Sequence, residues 1–289
     1  MKKTYKAHAK INLSLDVLRK RPDNYHDLKS VMQSMSLHDE ITLETDTENG
    51  IEISTNRTFL ATNEKNIAYK AADLFYTETG LSKNVHIHIK KNIPVGAGLG
   101  GGSSDAAAVL YGLNELYGDP LGRDKLLALG LACGADVPFC QTGGTCLAEG
   151  LGEILTPLSP IPECIILIAK PQMSISTKSV FEAIDTKAIQ MHPNTDGIID
   201  SLNSNNLSGI AVRVYNVFED YVKPRYKELD KIKGVMLDCG ALGSAMSGTG
   251  SAVFGIFTDE KAARKAANKL KRNKLQTFIT YPVQQIFAE

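Results

Sequence analysis

The sequence predicts an α+β protein with two domains, and three observations support this. Strand patterns and helix patterns interleave in both halves of the chain, without repeats or low-complexity tracts. The 289 residues are enough to bury more than one hydrophobic core. A proline-rich segment, Thr156–Pro162, separates the halves. We therefore expect one domain over residues 1–158 and a second over residues 159–289.

The first domain is predicted to open on a long strand. Apolar residues occupy every second position from Tyr5 to Val17, and polar residues lie between them. This is the period of a strand with two distinct faces. Turn residues follow at Arg21–His26, and the segment through Leu43 is predicted to return as extended structure. The remaining predicted elements are helices over 66–79 and 124–132, a strand with one wet face over 85–90, and short strands over 145–155.

The second domain is predicted to begin with a strand over Ile165–Ala169, directly after the proline-rich segment. Helical periodicity and strand-like runs then alternate to the end of the chain. The predicted helices cover 207–221, 225–233 and 259–271, and the predicted strands cover 242–246, 251–257 and 276–281.

The most informative segment of the first domain is Pro94–Ala107, which holds five glycines and two serines. It lies between the predicted strand over 85–90 and a helical pattern that runs from Ala106 to Tyr117. Glycine lets backbone amides approach a ligand closely, and a helix N-terminus favours an anion. The segment is therefore predicted to bind phosphate, with Ser103 or Ser104 capping the helix and Asp105 in its first turn.

Other glycine-rich loops fit this segment less well. No lysine follows the glycines, which a Walker A loop requires. Gly96, Gly98 and Gly101 fit the dinucleotide pattern, but no acidic residue ends a second strand about twenty residues later. The protein-kinase loop requires valine where Ser103 stands. A flexible linker is the remaining alternative, although linkers are not bounded by a strand and a helix.

Composition limits the classes of partner. Hydrophobic residues make up 43% and charged residues 22%, as in an ordinary globular protein, and 32 basic residues balance 32 acidic ones. Bulk charge gives no reason to expect nucleic acid, so the expected partner is a small molecule bound at a local site. The sequence shows no apolar leader and no long apolar run, which predicts a cytoplasmic protein without a membrane span.

Cysteine and histidine usage gives no reason to expect a metal centre. Five cysteines without a C-x-x-C pair are expected to be reduced, buried side chains. His86 and His88 share a strand face but lack nearby cysteine or carboxylate partners in the sequence, so solvent exposure is the simpler interpretation.

Phosphoryl transfer to an alcohol requires a carboxylate at the hydroxyl and a cation that offsets charge. Asp136, in a tight turn after a predicted helix, is the candidate carboxylate. Lys10 is the candidate cation and shares a strand face with Asn12. Taken singly, Asp136 is better explained as an ordinary turn aspartate, and Lys10 as part of a solvated strand face. A second glycine segment, Gly243–Phe254, is consistent with a simple hairpin.

Together these segments resemble the GHMP kinases. Pro94–Ala107 is similar to the phosphate loop of that superfamily, and Gly243–Phe254 is similar to its C-terminal glycine motif. Other segments resemble the branch that acts on 4-diphosphocytidyl-2-C-methyl-D-erythritol, and the match runs the length of the chain in the same order. These segments are Ala9–Leu13, Tyr25–His26, Gly134–Phe139 and Ala148–Leu155.

The resemblance implies a ribosomal-protein-S5-like N-terminal domain and a ferredoxin-like C-terminal domain, with the active site between them. It also implies that ATP, with Mg²⁺, phosphorylates the 2-hydroxyl of the cytidyl alcohol in the non-mevalonate isoprenoid pathway. The magnesium ligands are not identified by the sequence.

The resemblance assigns roles to individual residues. Asp136 takes the role of base, and Lys10 orients it and offsets charge. Tyr25 and Phe181 sandwich the cytosine, His26 hydrogen-bonds it, and Asn12 and Thr177 line the rest of the substrate pocket. Residues assigned to ATP are Asn66 and Lys91 near the adenine, and Pro94, Gly96, Gly98, Leu99, Gly100, Gly101, Gly102, Ser103 and Ser104 in the loop.

One residue departs from the family pattern, since Asn24 stands where glycine usually precedes the Tyr-His pair. Asparagine tolerates a left-handed backbone, so the turn is expected to survive. Two competing functions remain at this point. Another GHMP kinase acting on mevalonate or homoserine would lack the cytidine pocket. A non-catalytic nucleotide-binding module would have no use for Lys10 close to Asp136.

Overall fold

A computed structural model describes residues 1–45 and 50–287 of the chain. The strands among these residues are β1 (Lys2–Lys20), β2 (His26–Thr45), β3 (Ile51–Thr55), β4 (Val85–Lys90), β5 (Thr145–Gly150), β6 (Ile154–Pro157), β7 (Ile165–Lys170), β8 (Tyr215–Asn216), β9 (Gly243–Met246), β10 (Val253–Phe257) and β11 (Gln276–Thr280). The helices are α1 (Ile67–Thr79), α2 (Gly101–Leu116), α3 (Arg123–Cys133), α4 (Val137–Thr142), α5 (Thr177–Ile184), α6 (Thr195–Asn203), α7 (Leu207–Ala211), α8 (Glu219–Val222), α9 (Glu228–Asp238) and α10 (Glu260–Arg272).

The described strands form two sheets. In the larger sheet the order is β3-β4-β2-β1-β8, with β5 paired to β2 and β6 paired to β5. The smaller sheet has the order β11-β7-β10-β9 with every pair antiparallel, and α9 and α10 pack against it. This antiparallel sheet backed by helices is the expected ferredoxin-like arrangement, and the predicted α+β class is confirmed.

Strand β1 passes through three hydrophobic cores in succession. Its apolar face contributes Tyr5 and Ala7 to the first core, Ala9, Ile11 and Leu13 to the second, and Leu15 and Val17 to the third. The register against β2 shifts between His8 and Lys10 and again between Asn12 and Ser14. Because a bulge re-aims the residues beyond it, these two irregularities let one strand serve three packing environments.

From Lys10 to Asp16 the polar face of β1 is buried, not solvated. Lys10, Asn12, Ser14 and Asp16 are 4%, 2%, 0% and 5% exposed. Buried polar groups require partners. This face is therefore where the fold concentrates hydrogen bonding, and the candidate site is built on it.

The two halves of the chain are connected by more than the linker. Strand β8, from the second half, pairs in parallel with β1 through Ser14–Tyr215 and Leu15–Asn216. We propose that the domain boundary lies between residues 158 and 159, in the segment between the end of β6 and the start of β7.

The helix predicted over 207–221 is wrong. The chain there forms α7, β8 and α8 in turn. The β-branched residues Val212 and Val214 disfavour a continuous helix, and Asn216 pairs with β1 instead. The helix predicted over 225–233 lies later, as α9, and the short elements β3, α4, α5 and α6 were not predicted.

The predicted serine cap of α2 is also wrong. The helix begins at Gly101 with Gly100 at the N-cap, so Ser103 and Ser104 lie inside its first turn. Ser104 Oγ donates to the Gly101 carbonyl at 3.0 Å instead of capping an amide. Glycine, not serine, occupies the N-cap because the backbone at Gly100 is left-handed, with φ of +70°.

Other local expectations are confirmed. Asn24 has φ of +66°, the left-handed conformation expected of it. The outward face of β4 is wet, and His86 and His88 on it both hydrogen-bond Ser54 Oγ. The described cysteines are free thiols, but Cys133 is half-buried, in contrast to the full burial expected.

Candidate active site

The phosphate loop lies between β4 and α2 and presses against the second glycine segment. Gly98 has φ of +77°, and a Cβ placed there would lie 2.1 Å from the Ser247 carbonyl oxygen. Ser247 Oγ donates to the Gly98 carbonyl at 2.9 Å, and the Ala252 amide donates to the Ala97 carbonyl at 3.0 Å. Glycine at position 98 is therefore required both by backbone conformation and by the close contact of the two segments.

Lys10 and Asp136 meet beside this loop. Lys10 Nζ lies 3.2 Å from Asp136 Oδ2, with the lysine side chain 5% exposed and the aspartate 39% exposed. The Lys10 amide donates to the Leu99 carbonyl at 2.9 Å, which ties β1 to the loop. A Cβ on Gly100 would lie 2.8 Å from Lys10 Cγ, so glycine at this position leaves room for the Lys10 side chain. The pair thus consists of a fixed cation and a carboxylate open to solvent.

Asn12 holds the lysine in place. Its Oδ1 accepts from Lys10 Nζ and from the Gly248 amide, each at 3.0 Å. Its Nδ2 donates to Ser30 Oγ at 2.8 Å. Because the side chain is 2% exposed and bonded at both ends, Asn12 joins the lysine to the second glycine segment.

Two cavities lie on either side of the phosphate loop. The first, of about 360 Å³, is lined by Lys10, Asn12, Asp136, Thr177 and Phe181, among other residues. The second, of about 420 Å³, is lined by Asn66, Lys91 and the loop from Pro94 to Ser103. Gly96, Gly98, Gly100 and Ser103 line both. The loop therefore separates two compartments that share it as a wall.

Phe181 and Thr177 lie on α5 and line the first cavity. The Phe181 ring lies 5.0 Å from the His26 ring and 4.9 Å from the Phe218 ring, centroid to centroid. Phe218 also lines this cavity. Thr177 Oγ1 lies 3.0 Å from Thr249 Oγ1, so α5 contacts the second glycine segment.

The structure does not bring Tyr25 against Phe181. Tyr25 is 63% exposed at the tip of the β1–β2 hairpin, and among the described residues its ring makes no aromatic contact. His26 is 7% exposed, and its Nε2 lies 2.8 Å from Asp185 Oδ1. Hydrogen bonds from Lys20 and His26 hold the pKa of Asp185 below its usual range. His26 therefore backs the Phe181 ring.

The residues predicted to lie near the adenine are hydrogen-bonded within the protein. Asn66 caps α1, with Oδ1 accepting from the Ala68 amide at 3.0 Å and Nδ2 donating to the Ala61 carbonyl at 2.7 Å. Lys91 is buried between Asp39 and Asp105. Ser104 does not line either cavity, because its hydroxyl turns back to Gly101.

Sequence reasoning missed several residues of this region. Phe218 and Asn216 lie in the segment that was predicted as helix, and Asn216 Nδ2 donates to the Met246 and Gly248 carbonyls at 2.9 and 2.7 Å. Asp185 lies in no recognisable sequence motif. The aromatic Phe218, close to the strand-like Tyr215–Asn216 pair, was the one available signal.

Within residues 1–45 and 50–287, no cluster of three or more His, Cys, Asp or Glu side chains is arranged to hold a metal ion. None of the helices described is both long enough and apolar enough to span a membrane.

Comparison with known proteins gives consistent matches. The family descriptions "GHMP kinases N terminal domain" and "GHMP kinases C terminal" match residues 66–144 and 191–276. The chain is 47% identical over 266 residues to 4-diphosphocytidyl-2-C-methyl-D-erythritol kinase of Caldicellulosiruptor saccharolyticus, covering 92% of each chain. It is 46% identical over 277 residues to the protein of that name from Lachnoclostridium phytofermentans, covering 95% of each.

Solved structures agree. A crystal structure of 4-(cytidine 5'-diphospho)-2C-methyl-D-erythritol kinase superposes with a TM-score of 0.83 at 33% identity, covering 99% of this chain and 100% of the other. Homoserine kinase from Cytophaga hutchinsonii superposes with a TM-score of 0.76 at 21% identity, covering 97% and 95%. At that lower identity the likeness concerns the fold alone.

Proposed function

This chain belongs to the GHMP kinase family, in its branch of 4-diphosphocytidyl-2-C-methyl-D-erythritol kinases, and we propose that it phosphorylates the 2-hydroxyl of 4-diphosphocytidyl-2-C-methyl-D-erythritol with ATP. The names of its relatives favour this substrate over the mevalonate and homoserine alternatives. The step belongs to the non-mevalonate route to isoprenoid precursors.

The observation that carries the proposal is the Lys10–Asp136 pair at the wall between the two cavities. A nucleotide-binding module without chemistry has no need for a buried cation held against a solvent-open carboxylate. A kinase needs both groups where the acceptor hydroxyl meets the terminal phosphate.

In the proposed reaction the alcohol oxygen attacks the γ-phosphorus of ATP, and the bond from that phosphorus to the bridging oxygen of ADP breaks. The hydroxyl proton passes to the Asp136 carboxylate. Lys10, which Asn12 and the Leu99 carbonyl fix in position, orients the carboxylate and offsets negative charge. The backbone amides of the loop from Gly98 to Ser103 hold the phosphates with little reorganisation.

The proposed cofactor of ATP is Mg²⁺, which neutralises phosphate charge. Magnesium in kinase sites is usually held by one or two carboxylates together with substrate phosphates and water. The described residues offer no closed metal cage. They fit an ion that arrives with the nucleotide, held chiefly by its phosphates.

The first cavity is the proposed site of the cytidyl alcohol. Thr177 and Phe181 line it directly, and Asn12 forms part of its floor. We propose that the exposed Tyr25 ring swings onto the cytosine when substrate binds, opposite Phe181, with His26 beside them. Flat rings stacked on a base give sequence-tolerant affinity of about 1–3 kcal/mol each.

The test is ADP formation by the purified chain with ATP, Mg²⁺ and a panel of alcohols that contains the cytidyl substrate, mevalonate and homoserine. We expect turnover with the cytidyl alcohol alone. Faster turnover with mevalonate or homoserine would reject the assigned substrate while leaving the kinase assignment intact.

Asp136→Asn tests the base. The amide preserves shape but accepts no proton, so kcat should fall by about 10²- to 10⁴-fold while ATP still binds. Lys10→Met should also lower kcat, and the double variant should lose far less than the product of the two single losses. Near-normal turnover of Asp136→Asn would eliminate Asp136 as the base.

A further inference from the structure

A buried cluster of three charged side chains lies behind the phosphate loop. Asp39 on β2 is 0% exposed, Lys91 after β4 is 4% exposed, and Asp105 in α2 is 5% exposed. Lys91 Nζ donates to Asp39 Oδ2, to Asp105 Oδ2 at 2.7 Å and to the Gly101 carbonyl at 3.2 Å. These three bonds use all three N–H groups of the ammonium.

The cluster is bonded to both ends of the phosphate loop. At the start, Asp39 Oδ1 accepts from the backbone amides of Asn92 and Ile93, the latter at 2.8 Å. At the end, Lys91 Nζ donates to the carbonyl of Gly101, the first residue of α2, and to the carboxylate of Asp105, just beyond the first turn of that helix. The loop is thus suspended between two segments that the same three side chains hold.

The charges in this cluster do not balance if every group is ionised. Two carboxylates would share one ammonium at side chains that are at most 5% exposed, and uncompensated buried charge is costly. Both oxygens of Asp39 have N–H donors, whereas Asp105 Oδ1 is buried without a partner. The Asp39 and Asp105 carboxyl groups both contact Lys91 Nζ, so two negative charges would lie on one ammonium group.

The directions of the pKa shifts also favour a protonated Asp105. Burial, together with the neighbouring Asp39 carboxylate, raises the pKa of Asp105 well above its usual range against the opposing effect of Lys91. Burial works to lower the pKa of Lys91, but Asp105 and Asp39 outweigh it and raise that pKa. Cys140 on α4 also faces Asp105, and burial raises the pKa of its thiol, which keeps it neutral.

We propose that Asp39, Lys91 and Asp105 form a clasp that fixes both ends of the phosphate loop, and that Asp105 holds a proton in the resting protein. The clasp is then neutral, with Asp39 and Lys91 as its ion pair. Lys91 is a positioning residue for the loop and has no N–H left for the nucleotide. The inference rests on the proposed function only in naming ATP as the ligand of the loop.

Two matched substitutions test the clasp. Asp105→Asn should be tolerated, because an amide can accept from Lys91 and is neutral, as a protonated carboxyl group is. We expect ATP affinity, measured by calorimetry, to stay within about twofold of wild type. Asp39→Asn should weaken ATP binding about tenfold or more and lower Tm, because its NH₂ would face either the Lys91 ammonium or the backbone amides.

Unfolding measured over a range of pH distinguishes a protonated Asp105 from a position that simply tolerates asparagine. Folding raises the pKa of Asp105, so its stabilising contribution is complete below the unfolded pKa of about 3.9 and is lost as pH rises towards the folded value. Asparagine does not titrate. The free energy of unfolding of Asp105→Asn relative to wild type should therefore rise between about pH 4 and pH 8.

Equal losses in Asp39→Asn and Asp105→Asn, or a flat stability difference across pH, would overturn the protonated state. Lys91→Met provides a further readout. The clasp predicts that it lowers Tm and ATP affinity together, and weaker ATP binding at unchanged Tm would instead make Lys91 a ligand of ATP. A wild-type protein inactive on the cytidyl alcohol would reject the proposed function without affecting these measurements.

Discussion

At the scale of the residue, Tyr25 and Phe181 form the proposed aromatic clamp on the cytosine, and their side chains differ in exposure. Phe181 is packed against His26 and Phe218, whereas Tyr25 projects from the hairpin tip with 63% of its surface exposed. Removing Phe181 would therefore disturb packing as well as binding. Removing Tyr25 should affect binding alone, which makes it the cleaner probe.

Tyr25→Ala should raise KM for the cytidyl alcohol about tenfold or more and leave KM for ATP and Tm unchanged, since base stacking is worth about 1–3 kcal/mol. Steady-state kinetics with each substrate varied, together with thermal unfolding, measures this. Tyr281→Ala, which removes another exposed tyrosine, is the control and should change neither KM. An unaltered KM in Tyr25→Ala would remove the aromatic clamp from the proposal.

The contact between the two glycine segments is the feature to test at the scale of the element. Gly98 and Gly80 both have left-handed backbones, with φ of +77° and +70°. A Cβ on Gly98 would collide with the Ser247 carbonyl, whereas a Cβ on Gly80 would meet nothing within 4 Å. The pair separates backbone strain from the clash.

Gly80→Ala should cost about 1–2 kcal/mol of stability, the usual strain of a left-handed alanine, without altering kinetics. Gly98→Ala should cost more stability and weaken both substrates, because residue 98 lines both cavities. Denaturant unfolding and ligand titration check the two variants side by side. If Gly98→Ala resembled Gly80→Ala in every measurement, the contact would have no functional part.

The sequence predicted those elements whose signal lies in neighbouring residues, and it did not predict those that depend on distant contacts. The alternation of β1 and the glycine loop were recognisable because period and turn chemistry are local properties. The burial of Lys10 and Asn12 was not, since alternation indicates that two faces differ without indicating what covers the polar one. Segment 207–221 was missed because β8 exists only through pairing with β1, two hundred residues earlier in the chain.

The same distinction between local and long-range signals applies to the site residues. The Lys10–Asp136 proximity could be expected from resemblance, while the partners of Lys91 could not, because Asp39 lies 52 residues away in sequence. Long-range ion pairs leave no periodic trace in the sequence. Such contacts also placed Asp185 beside His26 across 159 positions.

At the scale of the whole molecule, the two halves share structure. Leu15 and Val17 of β1 belong to the same core as Phe257 and Leu270, and β8 extends the larger sheet. Residues 1–158 alone would expose these apolar groups to water. The proposed boundary between residues 158 and 159 would therefore divide two halves that share a hydrophobic core.

We expect the fragment 1–158, expressed alone, to be poorly folded and prone to aggregate, and co-expression with 159–289 to restore a soluble, active pair. The full chain should unfold in a single cooperative transition. Circular dichroism and size-exclusion chromatography measure both. A fragment 1–158 with a sharp thermal transition of its own would show that the halves fold independently.

The path of β1 also bears on substrate size. Lys10, at the proposed reaction centre, and Leu15, further along the same cavity floor, are five residues apart. At about 3.3 Å per residue, they are separated by at most about 16 Å, because the strand has an irregularity between Asn12 and Ser14. Both ends of the proposed alcohol site are thus carried by one paired strand, and inserting or deleting a residue between Lys10 and Leu15 would turn the side chains beyond it to the other face of β1.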